Sequence, residues 1–245
     1  MNNEGILLVG HGTRGQRGQA EFFEVARLVD DRRSGVPVQP CFLEFAAPDI
    51  AQGVAGLARV GVKRVCVVPV LLFAAGHAKR DIPTLVPAAC EQHGLTTRFA
   101  DVLGCHPKLI ELSTRRYLAA VKNHPGPPPN ETAIVLVGRG SNDESAVWDT
   151  IRYADLLKGR VEAADVAAGF FAMASPPIRE TLSKMAERHR RIVVLPHLLF
   201  AGEISKKIDE LVAEYRTIHP SHDWVVAKHL GPATAVVEAI VERCG

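Results

Sequence analysis

The first half of this chain is written again in the second half. The segment Ile6-Leu-Leu-Val-Gly-His-Gly-Thr13 returns as Ile134-Val-Leu-Val-Gly-Arg-Gly-Ser141. At the same spacing, Cys41-Phe-Leu-Glu-Phe-Ala-Ala-Pro48 returns as Gly169-Phe-Phe-Ala-Met-Ala-Ser-Pro176. Pro69-Val-Leu-Leu-Phe-Ala-Ala-Gly-His77 then returns as Pro196-His-Leu-Leu-Phe-Ala-Gly-Glu203, with one residue lost before the glycine. The apolar frame is kept while the polar residues inside it change: His11 becomes Arg139, Glu44 becomes Ala172 and His77 becomes Glu203. A duplication that keeps the scaffold and exchanges the chemistry implies one catalytic half facing one binding half.

Within each copy, short β-rich apolar runs alternate with amphipathic stretches, the βαβα pattern of a parallel sheet flanked by helices. Strands are expected near 5–10, 37–44, 64–73 and 97–102, with helices near 18–33, 48–60, 78–92 and 107–122. The second copy predicts strands near 132–138, 164–171, 191–199 and 223–228, and helices near 143–157, 176–188, 203–217 and 232–243. Between them lies His124-Pro-Gly-Pro-Pro-Pro-Asn130, too proline-rich for a helix or a central strand. The expected organisation is a metal-binding half over 1–123, a semi-rigid linker over 124–130, and a second, substrate-binding half over 131–245.

Bulk properties narrow the partners. A net charge of +2 calls for neither nucleic acid nor an anionic membrane. The longest apolar stretch, 65 to 75, is about half of what a bilayer span needs and reads as a buried strand. Met1-Asn-Asn-Glu4 lacks the basic start of a signal peptide, so a cytoplasmic protein is expected. The five cysteines form no C-x-x-C pair, which favours buried thiols over a disulfide framework or an iron–sulfur site. A monomer is expected, with a homodimer as the alternative.

The strand pattern places three polar residues together. His11 follows the first strand, Glu44 ends the second and His77 follows the third. The carboxyl ends of parallel strands share one edge, where ligands bind. Two imidazoles and a carboxylate there suit a divalent transition metal such as cobalt, iron, nickel or zinc, with coordination positions left open for delivery or catalysis. Taken singly, each has a plainer explanation. A histidine after a strand is ordinarily a loop residue or a helix cap, and a half-buried glutamate ordinarily pairs with Lys or Arg. The second copy lacks all three, and that makes the set stronger than its parts. Cys105-His106 reads as a helix start before Pro107, and His219-Pro-Ser-His222 as a solvent loop.

A dinucleotide site competes for the same glycines, since Gly10-His-Gly-Thr-Arg-Gly15 fits G-x-G-x-x-G between a strand and a helix. The gap from Gly15 to Glu44 exceeds the usual ~20 residues, and His77 would have no task. The metal assignment is preferred.

At these residues the chain resembles the sirohydrochlorin chelatase family in its long, two-repeat form. The matching pieces are Val9-Gly-His-Gly-Thr-Arg14, Phe42-Leu-Glu-Phe-Ala-Ala-Pro-Asp49, the run from Val68 to Pro83, and Leu103-Gly-Cys-His-Pro107. The resemblance spans the whole chain, although its specific motifs all fall in residues 1–107. It implies a class II chelatase fold, two similar α/β halves around a cleft, inserting a divalent ion into sirohydrochlorin. His11, Glu44 and His77 would be both the metal ligands and the catalytic residues. The chain has no cysteine-bearing or His-rich tail, so no iron–sulfur cluster and no organic cofactor are expected.

The substrate carries eight acetate and propionate arms, so the site needs cations around it. Arg14, Lys79, Arg80, Arg139, Lys206 and Lys207 all fall on or just after the same sheet edges. Arg139 replaces His11 in the repeat, turning a ligand position into a carboxylate-binding one, and Glu203 is carried as a substrate-side residue in place of His77. The expected activity is insertion of Co2+, or alternatively Fe2+, into sirohydrochlorin on a path to cobalamin or siroheme. A non-catalytic carrier of tetrapyrrole or metal is the other class.

Overall fold

In a computed structural model, residues 3–245 are described, apart from the side chains of His77 and Ala78. Among them, eight strands form two four-stranded parallel sheets. The first sheet contains β1 (Glu4–Gly10), β2 (Val38–Phe42), β3 (Arg64–Pro69) and β4 (Thr96–Phe99), in the order β2-β1-β3-β4. Parallel neighbours cannot be joined by a tight turn. The crossovers here are α1 (Gln16–Arg32), α2 (Ile50–Arg59) and a π-helical turn, His77–Asp81, that runs into α3 (Ile82–Glu91). Every residue of β1 is buried, which is why Gly-Ile-Leu-Leu-Val reads as a continuous apolar run rather than an alternation.

The second sheet repeats the first. It contains β5 (Thr132–Gly138), β6 (Asp165–Phe170), β7 (Arg191–Pro196) and β8 (Asp223–Val226), in the order β6-β5-β7-β8, connected through α5 (Glu144–Lys158), α6 (Ile178–Ala186) and α7 (Glu203–Ile218). Two further helices, α4 (Pro107–Asn123) and α8 (Thr234–Cys244), follow the last strands of the two copies. The expected α/β class and both sheets are as the sequence indicates. Strands β3 and β7 stop at a proline, earlier than their apolar runs suggest. Beyond the stop, Leu71 and Leu72 accept backbone hydrogen bonds from Leu103 and Gly104 in a loop that stays close to the sheet.

The compact units do not coincide with the sequence halves. One unit comprises residues 1–106 together with 232–245, and the other comprises 107–231. Helix α4 therefore belongs to the unit built by the second copy, and α8 to the unit built by the first. In its unit, α8 lies against α1, with Arg32 3.4 Å from Glu238 and His106 Nε2 3.3 Å from Glu242. In the other unit, α4 places Ser113 2.9 Å from the Tyr153 hydroxyl, while the Tyr117 hydroxyl donates to the Glu162 carbonyl.

The proline-rich stretch lies inside the second unit rather than between the units. It includes one 3-10 turn, Pro129–Glu131. The buried Arg191 guanidinium holds it, donating to the carbonyls of His124 at 2.6 Å and Pro127 at 3.3 Å, with Asp223 2.6 Å away. The segment expected as a solvent loop also packs: the rings of His219 and His222 lie 6.2 and 6.1 Å from that of Trp224.

Candidate metal centre

Strands β1 and β2 end side by side, and their pairing carries on past the strand ends. Leu43 N–H donates to the Gly10 carbonyl at 2.9 Å, and Glu44 N–H to the His11 carbonyl at 3.0 Å. That second bond sets Glu44 beside His11, two residues past the end of β2 rather than on it. The approach is close because Gly12 has φ of 97° and no side chain. A β-carbon there would overlap the Glu44 carbonyl oxygen. In this loop Gly12 makes room for backbone, not for a phosphate, which removes the physical basis of a dinucleotide site.

The next residue was not legible in the sequence. Phe45 adopts φ of 63°, an uncommon conformation for a side chain of its bulk, and it is about half exposed. Its ring lies 6.2 Å from the His11 imidazole at an interplanar angle of 21°, and the Arg14 guanidinium sits 5.2 Å from its centroid. The imidazole Nδ1 is 3.4 Å from the Gly12 carbonyl oxygen. Gln19 on α1 steadies the loop by donating to the Thr13 carbonyl at 2.7 Å. His11 and Glu44 are both half-buried, open enough to meet a ligand and enclosed enough to lose part of their water.

Lys79 and Arg80 are exposed on the π-helical turn that His77 opens. The His77 side chain lies outside the described residues, so its part in the expected trio stays a proposal. Among the described side chains, no three His, Cys, Asp or Glu gather into a cation site. Two of the expected three, with Arg14, share one edge of the first sheet.

The other copy reproduces this loop with different side chains. Ala172 N–H donates to the Arg139 carbonyl at 3.0 Å, Gly140 has φ of 90° and would overlap Ala172 if substituted, and Met173 has φ of 57°. The exposed Arg139 thus holds the backbone place of His11. Glu203 is exposed in the first turn of α7, 3.2 Å from Lys206. Lys207 follows, also exposed.

A histidine that the motifs did not single out lies at the end of β7. His197 takes the place held by Val70 in the first copy: its N–H donates to Val137, as that of Val70 does to Val9. It is almost fully buried, its ring 4.1 Å from that of Tyr153, and desolvation pushes its pKa down to about 3. It stays neutral at physiological pH and belongs to the core.

Comparison with known proteins matches this architecture. The chain is 28% identical to the sirohydrochlorin cobaltochelatase of Priestia megaterium over 92% of this chain and 74% of that one. It is 31% identical to the sirohydrochlorin ferrochelatase of the same organism, over 93% of this chain and 84% of the relative. The solved structure of SirB from Bacillus subtilis with Fe3+ superposes with a TM-score of 0.85 at 26% identity, covering 98% of this chain and 93% of that one. The CbiX family model matches residues 5–120 and again 133–245. The chain belongs to the CbiX family and carries that family's domain twice.

Proposed function

We propose that this protein is a sirohydrochlorin chelatase, inserting Co2+, with Fe2+ as the second assignment, in cobalamin or siroheme biosynthesis. The observation that carries this is the juxtaposition of His11 and Glu44 by the hydrogen bond between their backbones, in a chain of the CbiX family. The relatives named above as a cobaltochelatase and a ferrochelatase support both ions equally.

Insertion exchanges the divalent ion for the two inner pyrrole protons of the macrocycle. The proposed roles follow from the side chains. Neutral imidazoles of His11 and His77 hold the ion from one side, and an imidazole released from the ion takes up a departing proton, its reference pKa lying near ~6.5. Glu44 lowers the charge of the site and passes protons outward. Arg14, Lys79, Arg80 and Arg139 pair with the carboxylate arms, and Glu203, ion-paired with Lys206, is assigned to the substrate side of the second copy. Among the described residues, no helix is long and apolar enough to cross a membrane.

The test is insertion itself, followed by absorbance with sirohydrochlorin and each ion under anaerobic conditions. His11→Ala, His77→Ala and Glu44→Gln should each lower the rate at least ~100-fold with unchanged circular dichroism, since each removes a group acting at the reacting centre. The ratio of kcat/KM for Co2+ and Fe2+ selects the ion. Wild-type rates in all three variants would overturn the mechanism, and binding of tetrapyrrole without metallation would make the protein a carrier.

A further inference from the structure

The edge loops of the second copy border a hollow of about 560 Å³ that the roles above leave unused. Ser141 and Asn142 come from the loop after β5, Met173 and Ser175 from the loop after β6, and Trp148 and Ile151 from α5. All belong to one compact unit. Two of these side chains are unusually placed. Trp148 is 66% exposed on a helix whose buried face is formed by Ala146, Thr150, Tyr153, Ala154 and Leu157. Met173 is 52% exposed and held at φ of 57°. A large aromatic and a thioether left in water beside a hollow are costly to solvate, and both are groups that contact flat π systems well.

The repeat sharpens the contrast. Met173 holds the place of Phe45, which in the first copy stacks beside His11 and under Arg14. Trp148 aligns with Ala20 on α1, so the aromatic surface of the second copy sits on the helix instead of the loop. The uncharged polar groups of the rim are hydroxyls and one amide, Ser141, Ser175 and Asn142, beside the aliphatic Val147, Ile151 and Ala174, with the exposed Arg139 two residues before Ser141. Glu144 is the one carboxylate there, and it sits in the first turn of α5, where the helix dipole favours it.

We propose that Trp148 and Met173 form the platform on which one face of the tetrapyrrole lies, with Ser141, Asn142 and Ser175 meeting its acid arms. This rests on the chelatase assignment above. The platform binds the macrocycle and leaves the metal alone, because neither an indole nor a neutral hydroxyl competes with imidazole for a divalent ion. Its contribution therefore falls on substrate affinity rather than on the insertion step.

Two tryptophans make the test direct, since Trp224 is buried and Trp148 exposed. The probe is metal-free uroporphyrin, a stable octacarboxylate, titrated against the full chain while indole emission is followed. The loss of emission in wild type should exceed that in Trp148→Phe, where Trp224 alone reports. Trp148→Ala should raise the porphyrin Kd and the sirohydrochlorin KM about 10-fold with kcat within about twofold, and Met173→Ala should raise them about threefold. Unchanged Trp224 emission in the variants shows that the fold is intact. Tight porphyrin binding by wild type and equally tight binding by Trp148→Ala would overturn the platform alone. A wild-type protein that neither binds porphyrin nor inserts metal would overturn the chelatase assignment and the platform with it.

Discussion

Gly12 and Gly140 are the residues around which both edge loops turn, and neither position admits a β-carbon. At Gly12 the added atom would meet the Glu44 carbonyl, in a conformation (φ of 97°) that side chains rarely adopt. Gly12→Ala should therefore cost about 2–4 kcal/mol of stability and push Glu44 away from His11. Gly140→Ala should cost a similar amount, because the same overlap with Ala172 awaits it. Thermal melts together with insertion rates separate the two. Both variants melt early; Gly12→Ala lowers kcat beyond what its lost stability explains, whereas Gly140→Ala, which displaces Arg139 and Met173, raises the sirohydrochlorin KM instead. A Gly12→Ala protein that melts with wild type would mean that the loop gives way and the approach is not rigid. His11 and Glu44 were legible in the sequence because their copies differ. Phe45 was not, because a left-handed φ on phenylalanine has no sequence signal.

At the scale of elements, the strands and their crossovers follow from the apolar runs, whereas the partners of α4 and α8 do not. An amphipathic helix specifies that one face will be buried, without specifying which sheet buries it. Val236 on α8 is fully buried in the unit built mainly by the first copy. Val236→Asp places an unpaired charge there, at a cost of several kcal/mol. Hydrogen exchange by mass spectrometry should then show protection lost across β1 to β4 and kept across β5 to β8. Loss confined to β5–β8 would contradict the division of the chain into these units. The capping box at the start of α2, by contrast, is purely local. Gln52 N–H donates to Asp49, and Asp49 N–H donates to the Gln52 side chain.

For the whole molecule, acid should be the destabilising direction. His197 has a folded pKa of about 3 against 6.5 for the ordinary group, because burial disfavours its charged form. The unfolded chain takes up that proton first, so the stability is fully present above pH 6.5 and drains away as pH falls toward 3. Glu4 acts in the same sense at lower pH. Hydrogen bonds and charge from Arg98 and Arg64 hold its carboxyl below the usual value despite burial, and that stability is lost as the carboxyl protonates. Between pH 6.5 and 5 the histidines dominate, His197 together with His189, whose pKa burial also lowers, because the ordinary carboxylate value, 4.5, lies below that window. His197→Val installs the residue that the first copy carries at the same position. It should flatten the dependence of urea-unfolding free energy on pH in that window, and an unchanged slope would show that another group carries it.

The sequence by itself determined that there are two sheets, their parallel order of elements and the edge on which His11 and Glu44 fall. Apolar periodicity and repetition are local signals, and a parallel crossover leaves little freedom in where strand ends go. Only the tertiary structure decided the rest. It closed Gly12 onto Glu44, turned Phe45 toward His11, and left Trp148 in solvent beside a hollow. It also gave α8 to the first copy's unit and α4 to the second's. Each of those depends on which distant surfaces meet. That is settled by the packing of the whole chain, and no window of residues records it.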